Sequence, residues 1–129
     1  MNKTKLINLA RAVATLEKAL STPVTEERDL AGIIKSFEYS YELAWTTLKA
    51  TLEAQGQESQ GPRDVIKRSW QIGLLKIATE RVWLKMIEDR NLTVHTYDEI
   101  FAREMAKRIQ EDYLPAFLAL KEFLENLGA

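Results

Sequence analysis

Apolar side chains recur along this chain at spacings of three and four, and nowhere do β-branched residues alternate with polar ones for long, so the pattern predicts helices throughout. Leu6, Leu9, Val13, Leu16 and Leu20 draw one stripe along a first helix, which residues 21–25, with Pro23 among them, bring to an end. Thr25 is placed to cap a second helix, whose stripe is Leu30, Ile33, Phe37, Tyr41, Ala44, Leu48 and Leu52 and which stops near Gly56. After the polar run 55–60, Gly61-Pro62 opens a short third helix with Val65, Ile66, Ser69 and Trp70 facing inward, and Gly73 closes it. Thr79-Glu80 begins a fourth helix carrying Val82, Trp83, Met86 and Ile87. Thr96-Tyr97-Asp98-Glu99 then matches a capping box, so a break between Asn91 and Thr96 is expected, with a new helix starting at Thr96. That last helix runs through Met105, Ile109, Tyr113, Phe117, Leu120 and Leu124, and Pro115 should disturb it by removing the bond to the Glu111 carbonyl.

Four long amphipathic helices with one short extra piece predict an all-α, antiparallel up-and-down four-helix bundle, a single domain over residues 1–129. The second helix carries another row at the same spacing, Glu38, Glu42, Trp45 and Lys49, about a quarter turn from its apolar stripe. Two readings of that row stay open: a solvated charged face, or a contact face for another subunit, since a large aromatic beside charges suits an interface.

Composition narrows the function. Eighteen Lys plus Arg against nineteen Asp plus Glu leave a net charge of -1, so no overall cationic field holds long nucleic acid. Residues 61–90 nevertheless hold seven basic and four acidic side chains, a local excess that welcomes a phosphate. With no cysteine and one histidine, neither a thiolate site nor a multi-histidine metal site can be built from one chain, so no metal or cofactor is expected. Charged and polar residues interrupt the amino-terminal apolar stretch, which reads as mature sequence, and the longest uncharged run is eight residues, far below the roughly 20 that span a bilayer. The expected setting is the cytoplasm, without a membrane partner.

Candidate chemistry gathers at the expected junction before the last helix. Arg90 and His95 would stand about 140° apart on an uninterrupted helix, whereas a break lets them converge beside outward-pointing amides that attract anions. An arginine binds phosphate through two donors, and a histidine gives and takes a proton near neutrality. Those are the two needs of RNA cleavage by the 2'-hydroxyl. One histidine cannot be both base and acid in a turnover, and a two-fold dimer that joins two junctions removes this objection.

The string from Arg90 through Asn91 to His95 resembles the defining motif of the HEPN superfamily: an arginine, a polar residue, and a histidine after four to six intervening positions, here four. Its extension to Tyr97 resembles the form found in HEPN proteins paired with a minimal nucleotidyltransferase (MNT). Residues 37–45, 62–67 and 113–116 are similar to the nucleotidyltransferase substrate-binding branch of that group. The resemblance implies a helical bundle that forms a homodimer, binds an MNT protein encoded nearby, and acts on RNA as a metal-independent endoribonuclease toxin. It implies that Arg90 holds the scissile phosphate, His95 moves the proton, and Asn91 orients either one. Tyr97 becomes the position to which the partner attaches AMP, and the added bulk and negative charge silence the site. Glu38, Glu42 and Trp45 are candidate supporting or interface residues. The alternative is a non-catalytic substrate-binding subunit of a two-component nucleotidyltransferase.

Overall fold

The computed structural model describes residues 3–76, 79–95 and 98–128, and among these it is all-helical. Helix α1 spans Lys3–Ser21, α2 Glu27–Ala54, α3 Pro62–Gln71 and α4 Glu80–His95; α5, Glu99–Arg108, runs through a π turn, Ile109–Tyr113, into α6, Leu114–Leu127. Counting α5, the π turn and α6 as one rod, four long elements and the short α3 form the expected bundle. The long α2 lies at its centre, packed against α1, α3 and α5, and α6 returns to close the bundle against α1.

The stripes meet in one contiguous core. Every stripe residue of α2 from Leu30 to Leu52 is buried, as are Leu9, Val13 and Leu16 of α1 and Met105, Ile109, Tyr113, Phe117, Leu120 and Leu124 of the last rod. Phe37 lies at the middle, with the Tyr113 ring stacked on it at 5.5 Å and Phe117 beside it at 6.1 Å, and Trp83 meets Phe117 edge-on at 5.8 Å.

Helix boundaries refine the expectations. The cap of α2 falls at Glu26, one residue after Thr25, because the Asp29 carboxylate turns back to accept the N–H groups of Thr25 and Glu26, each at 2.9 Å. Those bonds, the Thr25 N–H first, hold the Asp29 carboxyl below its ordinary pKa. Pro62 opens α3 behind Gly61, whose φ of 89° is open to glycine at no steric cost. Pro115 interrupts the last rod as expected, and the interruption takes the form of a π turn in which the Leu114 N–H reaches the Ile109 carbonyl, five residues back.

Two expectations about the junction are corrected. Helix α4 does not break after Asn91 but continues through His95, since the segment 91–95 contains neither glycine nor proline. Nor does the next helix begin at Thr96. Asp98 is the N-cap of α5, its Oδ1 accepting the Phe101 N–H at 2.8 Å, because an aspartate caps at least as well as a threonine and here stands at the position that reaches N3. Thr96 and Tyr97 themselves lie outside the described residues.

Candidate functional site

On the regular helix α4, Arg90 and His95 diverge by about 140° at 100° per residue, so the expected convergence within one chain does not occur. Arg90 continues the inward stripe of Trp83, Met86 and Ile87 past the end of the apolar core, where α2 offers carboxylates in place of aliphatic groups. His95 closes the helix on the solvent side and is exposed, as are Asn91 and Val94.

The Arg90 guanidinium is 29% exposed and meets Glu42 of α2, with Nη2 donating to Oε1 at 3.4 Å. Glu42 is fixed from its other oxygen by the Trp45 indole, whose Nε1 donates to Oε2 at 3.1 Å. One turn earlier on α2, Glu38 Oε2 lies 3.0 Å from the Thr93 hydroxyl; that hydroxyl has a single proton to share between Glu38 and the Arg90 carbonyl. The polar row on α2 is thus partly engaged within the chain, with Glu42 still about half exposed. Glu38 and Glu42 seat the motif segment of α4, and Trp45, half-buried, braces Glu42.

The seat leaves Arg90 with donating capacity to spare. Its Nε is buried and without a hydrogen-bond partner, and its one bond to Glu42 uses a single N–H of the five that a guanidinium carries. Tyr41, buried beside this group, has its hydroxyl pushed up to about 12 by burial and by the Glu42 charge, with Arg90 and Arg63 pulling the other way. Arg63, at the start of α3, therefore shares the electrostatic surroundings of Arg90, which the positive local balance of residues 61–90 had hinted at.

The anion-attracting amides expected near Thr96 are partly spoken for, since the Asp98 carboxylate already occupies the first turn of α5. Among the described residues no group of three or more His, Asp or Glu side chains is placed to hold a metal ion. No described helix is long and apolar enough to cross a membrane. A groove of about 730 Å³ between the start of α1 and the end of α6, lined by Leu6, Ile7, Ala10 and Leu127, contains none of the candidate residues.

The residue that sequence reasoning missed is Asp89. Its side chain is 0% exposed and points away from Arg90, into the last rod. Arg108 Nη1 lies 2.9 Å from Asp89 Oδ1, and the Tyr113 hydroxyl donates to Oδ2. Burial first, then that bond and the Asp89 charge, push the Tyr113 hydroxyl far above the usual phenol range, so it stays protonated and donating. The available signal was position: Asp89 stands three residues after Met86, on the edge of the buried stripe.

Comparison with known proteins covers nearly the whole chain. The family described as nucleotidyltransferase substrate binding protein like matches residues 4–126. The chain is 24% identical over 108 residues to the "Probable ribonuclease HepT" of Haemophilus influenzae, covering 80% of this chain and 73% of that one. A crystal structure from Thermus thermophilus is 34% identical, with a TM-score of 0.76, 92% of this chain and 96% of that chain being covered. The tri-AMPylated Shewanella oneidensis HEPN toxin, solved in complex with its MNT antitoxin, shares the fold at a TM-score of 0.82 and 17% identity, over 98% of this chain and 99% of that chain.

Proposed function

Because the chain belongs to the nucleotidyltransferase substrate binding protein like family, we propose that it is the HEPN-type toxin of a toxin–antitoxin pair. It is a cytoplasmic, metal-independent endoribonuclease, a homodimer, neutralised by a minimal nucleotidyltransferase that attaches AMP to Tyr97. The name of the Haemophilus influenzae relative supports the ribonuclease part of this reading, and that of the Shewanella oneidensis structure supports the toxin, its MNT antitoxin and the attachment of AMP. The single observation behind the chemistry is the divergence of Arg90 and His95 on one continuous helix.

That divergence makes one chain an incomplete site. Arg90 faces α2 and His95 faces out, so a phosphate held by one Arg90 meets the His95 of a second copy related by a two-fold axis. Val94 and Leu92, 53% and 44% exposed around His95, and Ile100, 74% exposed just beyond, supply apolar surface for that contact. In the assembled site one imidazole takes the 2'-hydroxyl proton while the 2'-oxygen attacks phosphorus. The P–O5' bond breaks, and the other imidazole, protonated, returns a proton to the departing 5'-oxygen. The products are a 2',3'-cyclic phosphate and a 5'-hydroxyl end. Arg90 stabilises the charge on the phosphorane, for which its open N–H groups serve, and Asn91 orients phosphate or imidazole.

The test is RNA cleavage by the purified chain alone, in chelator, beside His95→Ala, and intact mass after incubation with the nucleotidyltransferase and ATP. Cleavage by the wild type, lost in His95→Ala and suppressed by added AMP on Tyr97, is the expected result. Intact RNA from a folded, unmodified dimer would overturn it in favour of a substrate-binding subunit.

A further inference from the structure

Asp89 precedes the motif arginine directly, and its surroundings are built more completely than those of any motif residue. A carboxylate with no solvent exposure must have its charge answered inside the protein, and here both oxygens are answered, Oδ1 by Arg108 and Oδ2 by the Tyr113 hydroxyl. Arg108 and Tyr113 are five residues apart, a separation that on a regular α-helix turns side chains about 140° away from each other. The π turn Ile109–Tyr113 lies between them and changes the register to one that closes every five residues, so both reach one carboxylate. The widened turn is thus the local means by which one rod grips one side chain of α4 from two points.

The consequence for α4 is rotational. With Asp89 fixed toward the π turn, Arg90 lies about 100° round the helix, toward Glu42, and His95 about 120° round in the opposite sense, toward solvent. Glu42 alone does not supply this precision, since it is half-exposed and holds Arg90 by one bond of 3.4 Å. We propose that Asp89, gripped by Arg108 and Tyr113, is the positioning residue of the site: it sets the rotation of α4 and through it the direction of the Arg90 guanidinium. The activity part of its test rests on the ribonuclease reading; the geometric part does not.

Three variants of the full chain, Asp89→Asn, Tyr113→Phe and Leu16→Ala, separate positioning from stability. Asn keeps the shape of Asp89 without its charge. Phe keeps the ring that stacks on Phe37 and removes only the hydroxyl. Leu16, fully buried on α1, serves as a destabilised control remote from the grip. With arginine side chains labelled with nitrogen-15, the Arg90 Nε–H signal, identified by its loss in Arg90→Lys, is expected to move or broaden in Asp89→Asn and Tyr113→Phe and to stay in place in Leu16→Ala. In RNA cleavage at a temperature where all three are folded, kcat is expected to fall about tenfold to a hundredfold in Asp89→Asn and less in Tyr113→Phe, with KM within about twofold. Leu16→Ala should keep the wild-type kcat. An Arg90 signal unmoved in Asp89→Asn would overturn the proposal, as would a kcat loss shared equally by Leu16→Ala. A wild type without activity on RNA sinks the ribonuclease reading alone, and the Arg90 signal still decides the positioning.

Discussion

Two pairs of side chains in this bundle are separated by the same five residues and end in opposite arrangements. Arg108 and Tyr113 flank a π turn and close on one buried carboxylate, whereas Arg90 and His95 ride a regular α-helix and part. The closed pair is engaged: the Asp89 carboxylate on which it closes is buried and answered on both oxygens. The open pair is not, for Arg90 keeps an unpartnered Nε and His95 stands in solvent. Spacing in sequence therefore says little about convergence until the local helix register is known. A charge that holds the fold uses up its partners, and a charge kept for a ligand leaves donors open.

Arg90→Ala and His95→Ala should each lower RNA cleavage by about a thousandfold, near 4 kcal/mol of barrier, with an unchanged melting midpoint, since neither side chain packs in the core. Loss of activity matched by loss of fold would erase the distinction between the pairs. At the structural end, Asp89→Ala leaves the Arg108 charge and the Tyr113 hydroxyl without their acceptor and should cost about 2–4 kcal/mol by urea unfolding; the figure is held down because Arg108 is 37% exposed and can rehydrate.

Alkali acts on two buried tyrosines. Tyr113 and Tyr41 both titrate above their unfolded value near 10. Above pH 10 the unfolded chain therefore releases protons that the folded one retains, and stability falls as pH rises. For Tyr41 the loss runs from about pH 10 to about 12, and for Tyr113 it continues beyond, each with a slope of up to about 1.4 kcal/mol per pH unit. Unfolding free energy measured from pH 8 to 12 should show this decline, and Tyr113→Phe should flatten it. The smallest effect concerns the start of α5: Asp98→Ala removes the acceptor of the Phe101 N–H and should cost about 1 kcal/mol in the same assay.

Most of the bundle was legible in the sequence because burial here follows helical periodicity. The stripes from Leu30 to Leu52 and from Met105 to Leu124 are core positions to the last residue, and Gly61-Pro62 and Gly73 mark the ends of α3. The junction was misread because two caps competed within three residues. Thr96 completed a capping pattern on paper, while Asp98, one turn before the Phe101 N–H, does the capping. The identity of Arg90, Asn91 and His95 as candidates came from their motif, but their directions did not, since direction depends on whether α4 breaks. Glu38, Glu42 and Trp45 were visible as a row, and only packing told that the row seats α4. Asp89 was invisible as a buried group because an aspartate beside a glutamate and an arginine reads as surface. The π turn had only Pro115 as a signal, and proline announces an interruption without fixing its form.

If a working site needs Arg90 from one copy and His95 from another, subunit mixing restores it. Arg90→Ala and His95→Ala proteins, each nearly inactive alone, are combined under conditions that let subunits exchange, and RNA cleavage is measured. A mixed dimer regains one Arg90 facing one His95 across the two-fold axis, so cleavage should rise about tenfold above either parent. It should stay short of the wild type, because the second imidazole is missing. Continued silence from the mixture, with exchange verified by mass, would place both residues in one chain's site and contradict a site shared between copies.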